Sequence, residues 1–404
     1  MHIHRILNPL ILYITCISSF SCTEKDDTFS PLVVLDHSEV TLEVTDTISL
    51  HVTSDIHANQ DGTYIARLVD WSSADENVVS VNENGLLTAH NSGTSIVTAK
   101  VGDSTATCMV NVDITIFLGG YTDYDAVYWK NGQKKHLTTD GKDVGLQSEV
   151  KRIRIADGNI YAVGYIQESK AVFWNQNGEM KLLDKEFANI KDAAIYDSTL
   201  YAVGKTGIIH IWNVMNGVEQ LPLGSGTGTG SCIAIQNGDL FVGGVMPVKG
   251  VDKATVWKNG DAVVLDDDQS SVVTGIFIDG NITYTCGYET TDPGMAIAKY
   301  WKNDELIERT IGNQEASFRS MYVHNDDLYL AGSYYERPNM LKNDEQAYYA
   351  KGGLKGAIEE ITVLGDDLYA VGNVDGDGIV WKNGKEIFRT SLFEDSYLNS
   401  IEVK

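Results

Sequence analysis

The chain has 404 residues, is 43% hydrophobic and carries a formal net charge of -25. This length holds one large domain and a small one. The acidity argues against nucleic acid or an anionic membrane surface as partner, since both need positive charge against phosphate. Six prolines, 38 glycines and 20 tyrosines fit strands broken by many tight turns.

Residues 1 to 21 read as a signal peptide: His4 and Arg5 open it, and an apolar run follows from Ile6 to Phe20 with Pro9 near its start. The run is too short and too punctuated to span a membrane comfortably. Ser19-Phe20-Ser21-Cys22 resembles a bacterial lipobox, with Ser19 where leucine is common, a looseness found in Bacteroidetes-type lipoproteins. The resemblance implies cleavage before Cys22 and a lipid on its thiol. Cys16 competes for the role, but apolar residues follow it. Residues 22–32 then form a linker. Its acidic start, Thr23-Glu24-Lys25-Asp26-Asp27, is similar to the signal that sends such lipoproteins to the outer face of the outer membrane. Cys108, Cys232 and Cys286 are left. They form neither a disulfide framework nor a metal-ligand spacing, and read as buried thiols.

From 33 to 113, short alternating segments predict a β-sandwich: Val40–Val44, Ile48–Val52, Trp71–Ser73, Asn77–Val81, Gly85–Ala89, Gly93–Ala99 and Cys108–Val112. Their order resembles the group-2 bacterial Ig-like domain, which implies a spacer or adhesion module without an active site. Trp71 is expected in its core.

From 114 to 404 the sequence repeats. An aromatic residue followed three positions later by glycine recurs seven times: Phe117/Gly120, Tyr161/Gly164, Tyr201/Gly204, Phe241/Gly244, Tyr284/Gly287, Tyr329/Gly332 and Tyr369/Gly372. Tryptophan leading into a polar turn follows each glycine, as in Trp129-Lys130-Asn131-Gly132. In the sixth repeat, Tyr349-Ala350-Lys351-Gly352-Gly353 is expected to stand in for it. Each unit reads as four strands, a to d from the inside outwards, which is the propeller signature. The first repeat lacks its strand a, and Leu398–Val403 has that pattern. The expected fold is therefore all-β: a small Ig-like β-sandwich followed by a seven-bladed β-propeller closed by the C-terminal strand. In outline the repeat resembles kelch and other tryptophan-containing propellers, without their diagnostic dipeptides.

Residues copied into every blade belong to the fold, so function is expected where the repetition fails. Three b–c connections look long: Val245 to Lys253, Tyr288 to Lys299 and Ser333 to Tyr348. Tyr288, Tyr334, Tyr335 and Arg337 are candidate ligand contacts there, because tyrosines beside polar groups suit a sugar. Arg152, Arg319 and Glu360 are candidates at the mouth of the channel, together with Lys191 and Glu359. Asn373 to Gly378 resembles the start of a calcium loop but lacks the closing acid, and a hairpin is the preferred reading. The glycine-rich Gly224–Gly230 is no phosphate loop, and Asp266-Asp267-Asp268 reads as a solvated loop. No catalytic constellation, metal site or cofactor motif is visible. The expectation is a surface binding protein for glycan, attached to the membrane by its lipid alone. A protein-interaction or adhesion propeller is the alternative, and a polysaccharide hydrolase or lyase the second alternative.

Overall fold

The computed structural model describes residues 33–404 except 54–68, 138–146, 167–169, 184–188, 206–208, 215–227, 266–268, 292–293, 308–314, 350–353 and 391–394. Every regular element among the described residues is a β-strand.

The N-terminal part is a two-sheet sandwich. One sheet has the order Glu39–Glu43, Ser104–Asp113, Gly93–Val101, Asp70–Ser73, and the other Thr47–Ser49, Leu86–Ala89, Val79–Val81. Alternation along Ser104–Asp113 turns Cys108, Val110 and Val112 inward, where they meet Leu42, Leu50, Leu87 and Val97. Trp71 is only partly buried and packs against this core. The expected strands are all present within a few residues of their predicted bounds.

Seven antiparallel sheets follow. The first has Ser396–Val403 innermost, then Ile116–Thr122, Asp125–Lys130 and Gln133–His136. The others begin at Ser148–Ala156, Asn189–Tyr196, Thr229–Gln236, Ser270–Asp279, Ala316–His324 and Gly356–Leu364, and run outwards in chain order. The third shows three strands, because a fourth would fall outside the described residues. Each sheet packs on the next, and the seventh packs on the first through Ser396–Val403. No single sheet closes on itself. The circle closes because the C-terminal strand pairs with Ile116–Thr122, covering a sheet edge that would otherwise be open.

The repeated letters now have physical roles. The tryptophans at 129, 174, 212, 257, 301 and 381 are buried. Where Lys-Asn follows, as it does after all of these but Trp174 and Trp212, the lysine lies over the repeat aromatic directly across the b–c pair, as Lys130 over Phe117 and Lys382 over Tyr369, both at 5.5 Å. The asparagine adopts φ near 50° in the turn, and its Oδ1 accepts the N–H at the start of strand b; Asn131 takes Ile116 N–H at 2.8 Å and Asn383 takes Leu368 N–H at 2.9 Å. In the sixth sheet the tryptophan position belongs to Leu341, followed by Lys342-Asn343-Asp344, rather than to the segment at Tyr349. That expectation is corrected because Arg337–Lys342 is strand c and Glu345–Tyr349 is strand d.

The glycine of each repeat answers a feature of strand a. All seven innermost strands carry a bulge at the same place, at Lys151, Lys191, Ser231, Thr274, Arg319, Glu359 and Asn399. The distorted backbone lies so close to strand b that a Cβ at Gly120, Gly164, Gly204, Gly244, Gly287, Gly332 or Gly372 would overlap a strand-a carbonyl oxygen.

The sandwich meets the ring at the ends where strands a and c finish. Thr115 and Lys404 exchange backbone hydrogen bonds, Lys404 pairs with Glu43 at 2.5 Å, and Asn91 Oδ1 accepts Asp366 N–H at 3.2 Å. The b–c and d–a turns therefore lie on the opposite face.

Candidate functional site

Two groups of side chains stand out, one on the b–c turn face and one inside the ring.

On the turn face, two of the three expected long loops are two-residue hairpin turns. Asp239–Val248 and Val251–Lys258 join through the two-residue turn Lys249-Gly250. Asp327–Tyr334 and Arg337–Lys342 join through Tyr335-Glu336. Ile282–Thr290 carries Tyr288 within the strand, and Ala296–Lys302 follows a connection whose residues 292–293 lie outside the described residues. Strand pairing simply continues to the rim, which sequence alternation interrupted by Pro247, Pro338 and polar residues concealed. Asp377 follows a tight turn at Asp375-Gly376 and pairs with Arg389 at 2.8 Å, so the calcium-like segment is a hairpin.

The turns hold unusual residues. Two-residue hairpin turns with positive φ at both central positions favour Asn-Gly, since a Cβ there is strained. Tyr335 takes the first such position (φ 48°), and Tyr124, not singled out in the sequence, takes the second in its own turn (φ 73°). They are 48% and 61% exposed. Their backbones are tied down: Tyr335 N–H donates to Glu315 O at 2.8 Å, and Tyr124 O accepts Ser148 N–H at 2.8 Å. Tyr334 is half-buried, its ring 4.7 Å from that of Tyr335, and Arg337 opens the next strand opposite it. Tyr288 lies half-buried within the fifth sheet. Tyr334, Tyr335 and Arg337 thus come together, and Tyr288 is in the neighbouring sheet.

Inside the ring, the residue after each bulge decides the chemistry. Arg152 and Glu360 occupy that position, so they are buried in the channel wall instead of at its mouth. Asp192 occupies it in the third sheet, and Arg154 and Glu402 lie two positions further on in theirs. Arg152 Nε donates to Asp192 Oδ1 at 2.7 Å, and Arg154 Nη2 donates to Glu360 Oε1 at 3.0 Å. Glu360 Oε2 accepts Ser400 Oγ–H at 2.7 Å and Ile401 N–H at 2.8 Å. Asp192 Oδ2 takes Ile233 N–H at 3.0 Å, Ser400 Oγ takes Ile153 N–H at 3.0 Å, and Ser320 Oγ takes Ile361 N–H at 3.1 Å. At four junctions, then, a side-chain oxygen after the bulge accepts an N–H from the next sheet.

Burial works against each of these charges, and their neighbours decide the outcome. Desolvation would raise the Glu360 pKa, but Arg154, Arg152 and the Ser400 and Ile401 hydrogen bonds pull it below the ordinary carboxylate value. Arg154 is likewise opposed by burial, yet Glu360, Glu402 and Asp192 push its pKa up. Glu402 is the exception. Burial lifts it to about 7, with Arg154 opposing and Glu360 reinforcing the rise. Arg319, the sixth bulge residue, pairs with Glu359. Arg154, Asp192 and Glu402 were missed because their significance depends on the bulge register. Cys22 lies outside the described residues.

A bacterial Ig-like (Big-like) domain model matches residues 71–113. No curated protein sequence matches the chain. Among solved structures, the chain is similar to the computationally designed Ika8 protein (15% identity, TM-score 0.44, covering 76% of this chain and 87% of that one). It is also similar to a chain of a nidogen/laminin complex (12%, 0.40, covering 72% and 98%) and to YCF48 bound to D1 peptide (10%, 0.39, covering 62% and 86%). By its own strands the chain is all-β among the described residues, and its residues 71–113 match a bacterial Ig-like domain.

Proposed function

We propose that this is an outer-membrane surface lipoprotein anchored at Cys22, in which the Ig-like domain is a spacer and the seven sheets form a β-propeller that binds glycan. The observation that carries the reading is the pair of exposed tyrosines, Tyr124 and Tyr335, held in turn positions that tyrosine disfavours. Backbone strain of this kind costs on the order of 1–3 kcal/mol and accumulates at functional sites. A tyrosine offers a flat apolar face to a sugar ring and a hydroxyl to its polar groups. The face they occupy is opposite the Ig-like domain, which suits a ligand approaching from outside the cell.

The test is a glycan-array measurement on the full chain in detergent, beside the Tyr124→Gly/Tyr335→Asn variant. Binding by the parent and its loss in the variant, with the glycan intact afterwards, supports a non-catalytic receptor. Absence of binding to any glycan refutes the reading and leaves a protein partner. Cleavage of a bound glycan would make the protein an enzyme.

A further inference from the structure

The buried charges border a cavity of about 240 Å³ on the axis of the ring. Its walls differ. One side carries Arg152, Arg154, Asp192, Glu360 and Glu402, and the other carries Phe277 and Tyr322, whose rings lie 4.7 Å apart. Arg319, 43% exposed, stands at the edge. We propose that this cavity binds a small organic cation, an amine with a flat or apolar body, held between the Glu402 carboxylate and the Phe277–Tyr322 pair.

The charge count sets the sign of the ligand. Two arginines face three carboxylates in the inner network, and Arg319 is occupied by Glu359. Most of the arginine donors are also taken, Arg152 Nη2 being the exception. Arg154 Nε donates to Ala193 O, Nη1 to Ile153 O and Glu402, and Nη2 to Glu360. Arg152 gives Nε to Asp192 and Nη1 to the carbonyls of Lys151 and Asn399. An anion would find few donors, whereas Glu402 receives one long hydrogen bond, 3.3 Å from Arg154, and its side chain is 28% exposed. Its second oxygen has no hydrogen-bond partner among the described residues. A cation there would replace a proton, and an aromatic face would stabilise its charge further. The volume lies below the roughly 300–1,000 Å³ of drug-sized sites, so the cavity suits a small amine and not an oligosaccharide. The proposal is independent of glycan binding at the rim.

The groups facing Glu402 are Arg154 from the second sheet, Glu360 from the seventh and Tyr322 from the sixth, with Arg152, Asp192 and Arg319 on the same cavity. Because Glu402 must be ionised to bind, affinity rises with pH through about 7 and levels off above it.

Calorimetric titration of the full chain with benzylammonium, benzyl alcohol and benzoate tests the proposal. Benzylammonium is expected to bind tightest, about tenfold more weakly at pH 6 than at pH 8, and at least tenfold more weakly to Glu402→Gln. Phe277→Leu is expected to weaken it as well. Preference for benzoate, no binding of benzylammonium in the millimolar range, or unchanged binding in Glu402→Gln would each overturn the proposal. The comparison of probes and pH uses the unaltered protein, so it decides the matter even if a variant fails to fold.

Discussion

Replacing Glu360 by alanine tests whether the bulge network holds the ring shut. The carboxylate accepts three hydrogen bonds, from Arg154, Ser400 and Ile401, and so joins the seventh sheet to the first and second. Its removal leaves Arg154 and Arg152 in a buried site with less negative charge and leaves the Ile401 N–H without its acceptor. Breaking a buried pair by deleting one partner costs about 3–5 kcal/mol, mostly because the remaining charge stays desolvated. At about 2 °C per kcal/mol for a chain of this size, the melting temperature should fall by roughly 8 °C. Scanning calorimetry at pH 7.5 measures it. Glu359→Ala is the internal control: Glu359 is the adjacent bulge residue, and its partner Arg319 is well exposed, so about 1 kcal/mol or less is expected. Because the folded-state pKa of Glu360 is depressed, its stabilisation is present above the unfolded value and is lost as pH falls through the folded one. The gap between parent and variant should therefore shrink in acid. A fall of under about 2 °C, or equal effects of the two substitutions, would refute the reasoning.

Glu402 behaves in the opposite sense. Its pKa is raised to about 7 from the ordinary glutamate value of 4.5, so the parent loses stability as pH rises between those values, and Glu402→Gln should be more stable by about 3 kcal/mol at pH 8 with little difference at pH 4; denaturant melts at both pH values check this. Tyr335→Asn relieves a strained turn (φ 48°) and should stabilise the protein by about 1 kcal/mol while weakening glycan binding, a combination that thermal melts and the array read together. Gly164→Ala places a Cβ on the Glu149 carbonyl oxygen and should cost more than about 3 kcal/mol or prevent folding, seen as loss of the cooperative melt. Cys22→Ala should abolish incorporation of a labelled fatty acid and release the protein from the membrane fraction; retained labelling would move the anchor to Cys16, and an unlabelled parent would refute lipidation.

The sequence by itself determined the all-β class, the sevenfold repeat and the return of the C-terminal strand to the first sheet. These rest on local rules: period-two alternation, Asn-Gly turns and an aromatic–glycine interval, each set by one strand and its neighbour. It does not determine where strands end at the rim: Tyr335 fits a long loop in the sequence but forms a two-residue turn in the fold, and no sequence signal marks Tyr124. Nor did it reveal the bulges. A bulge is one extra residue against a partner strand, visible only when the two are paired, and it decides whether Glu359 or its neighbour Glu360 enters the wall. Tertiary structure alone assembled Arg152, Arg154, Asp192, Glu360 and Glu402 around one cavity, because they come from four different sheets and meet only when the ring closes.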